Sequence, residues 1–111
     1  MQLSETFVTT VAELSETRHY QKSLYLEFLR VPAMSAGLYE LETGASDPQT
    51  PHAEDEIYYV IAGRGQISIA ERDYAVAAGS VVFVPAGVGH HFHTIEAALS
   101  ILVIFAPAES N

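Results

Sequence analysis

The sequence has no cysteine and no tryptophan, and it contains only five lysine and arginine residues. The absence of cysteine excludes disulfides, thiolate nucleophiles and zinc–thiolate clusters. A transition metal would therefore have to be held by imidazole and carboxylate groups. This makes the five histidines the first residues to consider.

Basic residues are few relative to acidic ones. Fourteen aspartates and glutamates give a formal net charge of -9 with histidine neutral. Such a surface repels phosphate backbones and anionic lipid headgroups. We therefore expect neither nucleic acid nor a membrane as a partner, and favour a small-molecule ligand or substrate.

Long hydrophobic runs are also missing. The most apolar stretch, residues 99–108, is about half the ~20 residues that a membrane-spanning helix needs. The opening residues, Met-Gln-Leu-Ser-Glu-Thr, carry an acid where a signal peptide has bases. We therefore expect a cytoplasmic protein. We also expect one domain, because 111 residues, 49% of them hydrophobic, suit a single core.

The chain begins with a polar, helix-compatible segment. Thr10 and Glu13 are spaced as a capping box, and Val11 and Leu14 follow as a narrow apolar stripe. The pattern predicts a short helix over residues 11–18. We interpret residues 1–22 as a helical extension of the same domain and residues 23–111 as its β-rich body.

From Leu24 the pattern changes to short β-rich runs separated by turn residues, which is typical of a sandwich or barrel. Glycine, proline and aspartate mark most of the turns, and we interpret Gly63–Gly65 as a hairpin turn. The predicted strands are 24–31, 36–42, 56–62, 66–70, 74–77, 80–84, 90–96 and 99–105. The fold class is therefore all-β.

Two segments carry residues suited to chemistry. In the first, His52, Glu54 and Glu56 have equal parity, so on an extended strand all three would face one way, followed by Tyr58. A loop with two prolines, residues 44–51, directly precedes them, and such loops on rigid barrels often carry function.

The second segment runs from Gly79 through a turn to a strand that opens with His90. His90, Phe92 and Thr94 share one face of that strand, and His91 and His93 share the other. Phe92 beside His90 favours the first set as the interior face. We expect His91 and His93 outside the barrel.

The two segments resemble the paired motifs of the cupin superfamily, as in its small single-domain members. The first motif reads Gly, five residues, His-x-His, three or four residues, Glu, six residues, Gly, and Glu56 with Gly63 matches its end. The second reads Gly, five residues, Pro-x-Gly, two residues, His, three residues, Asn. Gly79, Pro85, Gly87 and His90 match it without a gap.

The resemblance implies a double-stranded β-helix, a jelly-roll-like barrel, with His52, Glu56 and His90 as ligands of one divalent metal ion. Thr50 occupies the place of the family's first histidine, and Thr94 that of its asparagine. The vacant corner would be filled by water, by substrate or by Gln49. Two imidazoles and one carboxylate suit iron, zinc, manganese or nickel, and the ligand set does not choose among them.

Two functional interpretations remain open. One is a metal-dependent enzyme acting on a small molecule, dioxygenase-like or isomerase-like by family analogy. The other is a non-catalytic barrel that binds a small ligand or metal. A further alternative is that His52, Glu56 and His90 are a vestigial polar cluster that holds no metal.

Glu54 could be a ligand in a shifted register, although Glu54 and Asp55 are better interpreted as a solvated acidic turn. Tyr58 and Phe92 are candidates to line a pocket.

Some runs are apolar at both parities, notably residues 81–84 and 101–105. Both faces of such strands must be covered. We expect the N-terminal helix to cover part of this surface and a second copy of the chain to cover the rest, as a homodimer.

Overall fold

The structure is a computed structural model that describes residues 5–110. It contains one helix, α1 (Val11–Gln21), and six strands. The strands are β1 (Tyr25–Val31), β2 (Met34–Leu41), β3 (Asp55–Ile69), β4 (Arg72–Ala77), β5 (Val81–Val84) and β6 (His90–Ala106). The prediction of an all-β fold with a short N-terminal helix is confirmed.

Helix α1 begins as its capping residues predict. The Thr10 side chain accepts a hydrogen bond from the Glu13 backbone N–H at 3.1 Å, which satisfies one of the unpaired donors of the first turn. The helix extends three residues beyond the predicted end, to a left-handed cap at Lys22. Leu14 is buried, whereas Val11 is exposed, so the apolar stripe is narrower than expected.

All strand pairs are antiparallel, in the order β1-β2-β6-β3-β4, with β5 paired to β3. The two longest strands, β3 and β6, pair along nearly their whole length, with register shifts between Val60 and Gln66. β3 pairs with β5 through residues 56–59 and with β4 through residues 64–69. One long strand thus contributes to both halves of the barrel.

The prediction of a hairpin turn at Gly63–Gly65 is wrong, because these residues lie inside β3. Gly63 has φ +99°, a conformation that glycine adopts freely, and it bends the strand without reversing it. A Cβ at Gly63 would collide with the backbone of Ala97 and Ala98 in β6. The predicted strands 90–96 and 99–105 likewise form one strand, β6.

The core has two parts. The larger fills the barrel with residues of β2 to β6, including Tyr58, Val60, Phe92 and Ile101. The smaller lies between α1 and the outer face of β1 and β2, where Leu14 packs with Leu26, Phe28, Ala36 and Leu38. The helix therefore covers part of the apolar outer face of the sheet, as expected. The division of the chain at residues 22 and 23 stays a prediction.

Alternation along β3 follows the predicted parity, since Glu56, Tyr58 and Val60 are buried and Ile57 and Tyr59 are exposed. Within residues 5–110, no helix has the length and apolar character needed to span a bilayer.

Candidate metal centre

The structure brings His52, Glu56 and His90 together. One nitrogen or oxygen of each lies within 4.8 Å of those of the other two. His52 precedes β3, and Glu56 pairs with Val84 at the end of β5, from which a turn leads to His90. The Gly87 backbone N–H of that turn donates to the His52 carbonyl at 2.7 Å. The two motifs are thus joined at the backbone as well as at the side chains.

The His52 ring is oriented from both of its nitrogens. Nε2 faces the Gln49 side-chain oxygen at 3.2 Å, and Nδ1 lies 3.2 Å from a carboxylate oxygen of Glu109. The ring also packs edge-on against Phe105, with 4.9 Å between centroids. The carboxylate beside Nδ1 favours a proton there, and in that tautomer the Nε2 lone pair points inward.

The His90 ring is oriented in the same way, with Nδ1 outward and Nε2 inward, but Nδ1 has a different partner. Its Nδ1 lies 2.9 Å from the Val88 carbonyl oxygen, which can only accept, so Nδ1 carries the proton. Nε2 lies 3.1 Å from a Glu56 oxygen, 3.0 Å from the Tyr58 hydroxyl and 3.2 Å from the Gln49 oxygen. Burial by itself would lower the pKa of His90, but the contact with Glu56 and the hydrogen bond to Val88 outweigh it and raise the pKa above its ordinary value.

Gln49 is held so that its oxygen faces the centre. Its amide nitrogen donates to Asp47 at 2.6 Å, and its oxygen accepts from the Tyr58 hydroxyl at 2.9 Å. Asp47 in turn accepts from the Phe92 backbone N–H at 2.8 Å and from the Tyr39 hydroxyl. This chain of contacts fixes the loop before His52 across the mouth of the barrel.

The inner atoms of this cluster are almost all acceptors. They are Nε2 of His52 and of His90, the Gln49 oxygen and the Glu56 oxygen that lies 3.1 Å from Nε2 of His90. When both imidazoles are neutral, the Tyr58 hydroxyl is the only group among the described residues that brings a proton into the cluster. Buried acceptors without donors are unfavourable, and a bound cation is their natural complement. The donor set fits a divalent metal ion.

Tyr58 is suited to stay a hydrogen-bond donor at the centre. Burial, with the negative charge of Glu56 as the next cause, raises the pKa of its phenol far above the usual range. The hydroxyl therefore keeps its proton around neutral pH.

A cavity of about 140 Å³ opens beside the cluster. Its walls are mainly aromatic and apolar, and no lysine or arginine lines it; they comprise Tyr25, Tyr39, Pro48, Gln49, His52, Glu56, Tyr58, Val103, Phe105 and Glu109. The Tyr25 hydroxyl is buried and has no partner among the described residues. Pockets for drug-sized ligands have roughly 300 Å³ or more, so this cavity suits a smaller molecule.

Several other predicted residues lie away from the centre. His91 is exposed, and His93 contacts Asp73 at 2.8 Å on the outside, as expected. Phe92 is buried behind Tyr58, with 5.0 Å between ring centroids, and is core rather than cavity wall. Thr50 is exposed, so the corner it would have occupied is faced by Gln49 instead.

Two predicted orientations are wrong. Glu54 was expected in a solvated turn, but it is only 6% exposed, because Ser110 covers it and donates two hydrogen bonds to one of its oxygens. Thr94 was expected inward with His90. Its φ of +49° interrupts the alternation, so Thr94 is exposed and Ile95 is buried.

Sequence reasoning missed Asp47 and Glu109. Asp47 lies in the loop that was singled out before His52, so its polar character was a usable signal. Glu109 lies 57 positions after His52, in a polar segment with no pattern that indicates a site.

The fold is an antiparallel β-barrel, and its interior carries a cluster of side chains that could hold a metal ion. The model of the family described as "Cupin domain" matches residues 37–105, and the chain belongs to this family. The chain is 50% identical over 98 residues to an uncharacterized protein of Streptomyces coelicolor, covering 88% of this chain and 93% of that one.

More distant similarities extend the comparison. Over 88 residues the chain is 27% identical to acireductone dioxygenase 2 of Arabidopsis thaliana; the match covers 75% of this chain and 46% of the plant protein, less than half its length. The crystal structure of BH2720 from Bacillus halodurans superposes with a TM-score of 0.80 at 20% identity, covering 97% of this chain and 86% of that one. The cupin domain of Schizosaccharomyces pombe Cnp3 superposes at 0.69 with 17% identity, covering 75% and 63%.

Proposed function

We propose that this protein holds one divalent metal ion through His52, Glu56 and His90, with the Gln49 oxygen facing the same point, and that it acts on a small molecule in the adjoining cavity. The observation that carries the proposal is the convergence of His52, Glu56 and His90, whose candidate ligand atoms lie within 4.8 Å of one another, with the Gln49 oxygen 3.2 Å from Nε2 of both imidazoles. Two imidazoles and one carboxylate are the side chains found in facial triads, which leave positions open to substrate.

The residues around the centre supply positioning. The Tyr58 hydroxyl lies within reach of both the His90 and Gln49 acceptors, and the unpartnered Tyr25 hydroxyl can donate to an oxygen of the bound molecule. The aromatic walls exclude water from the rest of that molecule. When bound, a divalent ion supplies a Lewis acid, and a redox-active one also supplies electron transfer to dioxygen.

Dioxygenase-like chemistry is the first reaction class we propose, because curated relatives at 27% identity are named acireductone dioxygenases. Isomerase-like chemistry on the same centre is the second, since a Lewis acid beside a small cavity suits it equally. The competing function is a barrel that binds a small ligand or metal without turnover. The cavity has a volume of about 140 Å³, which leaves room for little beyond a small ligand. Such a cavity also fits a protein that binds a ligand without converting it.

Elemental analysis of untagged protein purified without chelator tests the proposal. We expect about one metal per chain, and its absence from a His52→Ala/His90→Ala double variant. A redox-active metal would point to oxygen chemistry, and zinc would point away from it. Protein that contains no metal, takes up none of the four candidate ions and keeps its stability in the double variant would contradict a metal centre.

We also propose that the outer face of β5 and β3 pairs with a second copy of the chain. Ile57, Tyr59, Val81 and Phe83 lie there as cross-strand neighbours and are 43–70% exposed. β5 is paired to β3 on one side and, among residues 5–110, to no strand on the other. In a chain of net charge -9, an uncharged face is where two copies can meet without repulsion.

Replacing Phe83 by aspartate should convert the dimer to a monomer at micromolar concentration, because it buries an unpaired charge in the contact. Tyr20→Asp is the control, since Tyr20 is 87% exposed on α1, away from this face. Sedimentation equilibrium measures the mass of each. Wild-type protein that is monomeric at the highest soluble concentration would exclude the pairing.

A further inference from the structure

The segment after β6 folds back over the entrance to the metal centre. The Ala108 backbone N–H donates to the Pro32 carbonyl at 3.4 Å, and the Glu109 N–H donates to the Ser35 hydroxyl at 2.8 Å. Arg30 donates to the Glu109 carbonyl at 2.7 Å. Both backbone polar groups of Glu109 are thus held by the β1–β2 hairpin.

Ser110 anchors the other side of the same segment. Its backbone N–H and its hydroxyl both donate to one oxygen of Glu54, at 3.1 and 2.8 Å. Glu54 is 6% exposed, Ser35 is fully buried, and burying a carboxylate is costly unless it is paired. The side-chain hydrogen bonds of these two buried groups go to residues 109 and 110. These hydrogen bonds therefore fix the position of residues 109 and 110.

Among the described residues of this segment, Glu109 is the one whose side chain reaches the candidate centre. The Glu109 carboxylate lies 3.2 Å from Nδ1 of His52, and it also lines the cavity. His90 needs no such group, because the Val88 carbonyl holds its Nδ1 from within the same turn. No backbone carbonyl hydrogen-bonds to Nδ1 of His52 among the described residues, so Glu109 takes the role that Val88 has for His90.

We propose that Glu109 is a positioning residue, held over the barrel mouth by Glu54, Ser35 and Arg30, that keeps the His52 proton on Nδ1 so that the Nε2 lone pair faces the centre. Its consequence for metal affinity rests on the function proposed above, whereas its effect on the imidazole does not. A carboxylate behind a ligating histidine fixes the tautomer and raises the basicity of the ring, and loss of such outer partners typically costs about 10–100-fold in metal affinity.

Nitrogen-15 NMR of metal-free protein at about pH 8, where ordinary imidazoles are neutral, reads the tautomer directly. We expect His52 to be protonated at Nδ1 in the wild type and to become a mixture of both tautomers in Glu109→Ala. Glu109→Gln keeps an oxygen acceptor and should restore much of the wild-type signal. Glu96→Gln is the control, because Glu96 pairs with Arg64 on the exposed surface. A His52 signal that is the same in wild type and Glu109→Ala would overturn the proposal.

Metal affinity, measured by competition with a chromophoric chelator, is the second readout. We expect Glu109→Ala to bind about 10–100-fold more weakly. Glu54→Ala should also weaken metal binding, because it releases Ser110, although it leaves all three proposed ligands in place. The double variant should bind no more weakly than Glu109→Ala alone, since both changes remove one interaction.

The two proposals can fail separately. A wild type that binds no metal but shows the Glu109-dependent tautomer would overturn the metal function and leave the positioning role standing. Tight metal binding that is unchanged within twofold in Glu109→Ala, with an unchanged tautomer, would overturn the positioning role alone.

Discussion

Replacing His90 by alanine should abolish metal binding at micromolar concentrations, with a loss in affinity of more than about 100-fold. The reason is geometric: His90 is one of the three side chains proposed to hold the ion, and its Nε2 lies 3.1 Å from a Glu56 oxygen and 3.2 Å from the Gln49 oxygen. Losing an inner ligand must cost more than the roughly 10–100-fold typical of an outer partner.

His91→Ala is the matched control for this change. His91 is the next residue in the same strand, but it is exposed and its ring lies against His93, outside the barrel. We expect its affinity within twofold of the wild type. Elemental analysis and chelator competition measure both variants, and a His90→Ala protein that retains its metal would show that these residues are not the centre.

Thermal unfolding adds an independent measure of the same prediction. A ligand at 100 times its dissociation constant stabilises the folded state by about 2.7 kcal/mol. We expect that increment in wild type and in His91→Ala, and none in His90→Ala. The metal-free melting temperatures separate loss of the ion from loss of the fold.

The second large effect concerns Gly63, which we expect to be essential for stability. A Cβ there would lie 2.7 Å from the Ala98 carbonyl carbon and 2.8 Å from the Ala97 oxygen, both backbone atoms of the paired strand. Backbone of a central strand cannot move aside as a flexible side chain can. Gly63→Ala should lower the free energy of unfolding by about 3–5 kcal/mol, combining the cost of positive φ with that of overpacking.

Gly79→Ala separates these two costs. Gly79 has φ +93°, close to the +99° of Gly63, but a Cβ there would have no atom within 4 Å. We expect a loss of about 1–2 kcal/mol, from backbone strain alone. Urea unfolding of both variants gives the difference, and equal losses would show that the contact with Ala97 and Ala98 is not what requires glycine.

Much of the candidate metal centre could be predicted from the amino-acid sequence, because the alternation of side chains in a strand is a local property. Residues of equal parity face one way, so Glu56 and Tyr58 could be placed on the inner face of one strand before any coordinates. His52 lies before β3, so its place at the centre depends on the loop and not on strand alternation. The spacing from Gly79 to His90 fitted a strand, a turn and a second strand that opens with His90. The resemblance to cupins then joined the two segments.

Local pattern failed where backbone geometry departs from the simple strand. Glycines predict turns, yet Gly63 bends a strand that continues, and the sequence does not distinguish the two outcomes. Thr94 in a left-handed conformation shifts the alternation by one residue, so Ile95 takes the buried place that parity assigned to Thr94.

The sequence by itself determined the fold class, the three candidate ligands and the exclusion of thiolate chemistry. Tertiary structure alone decided that Gln49 faces the centre, that Glu54 is buried and that Glu109 stands behind His52. These contacts join residues that lie in loops or far apart in the chain, up to 57 positions for Glu109 and His52. No periodicity links such residues, because only the closing of the barrel brings them within reach of one another.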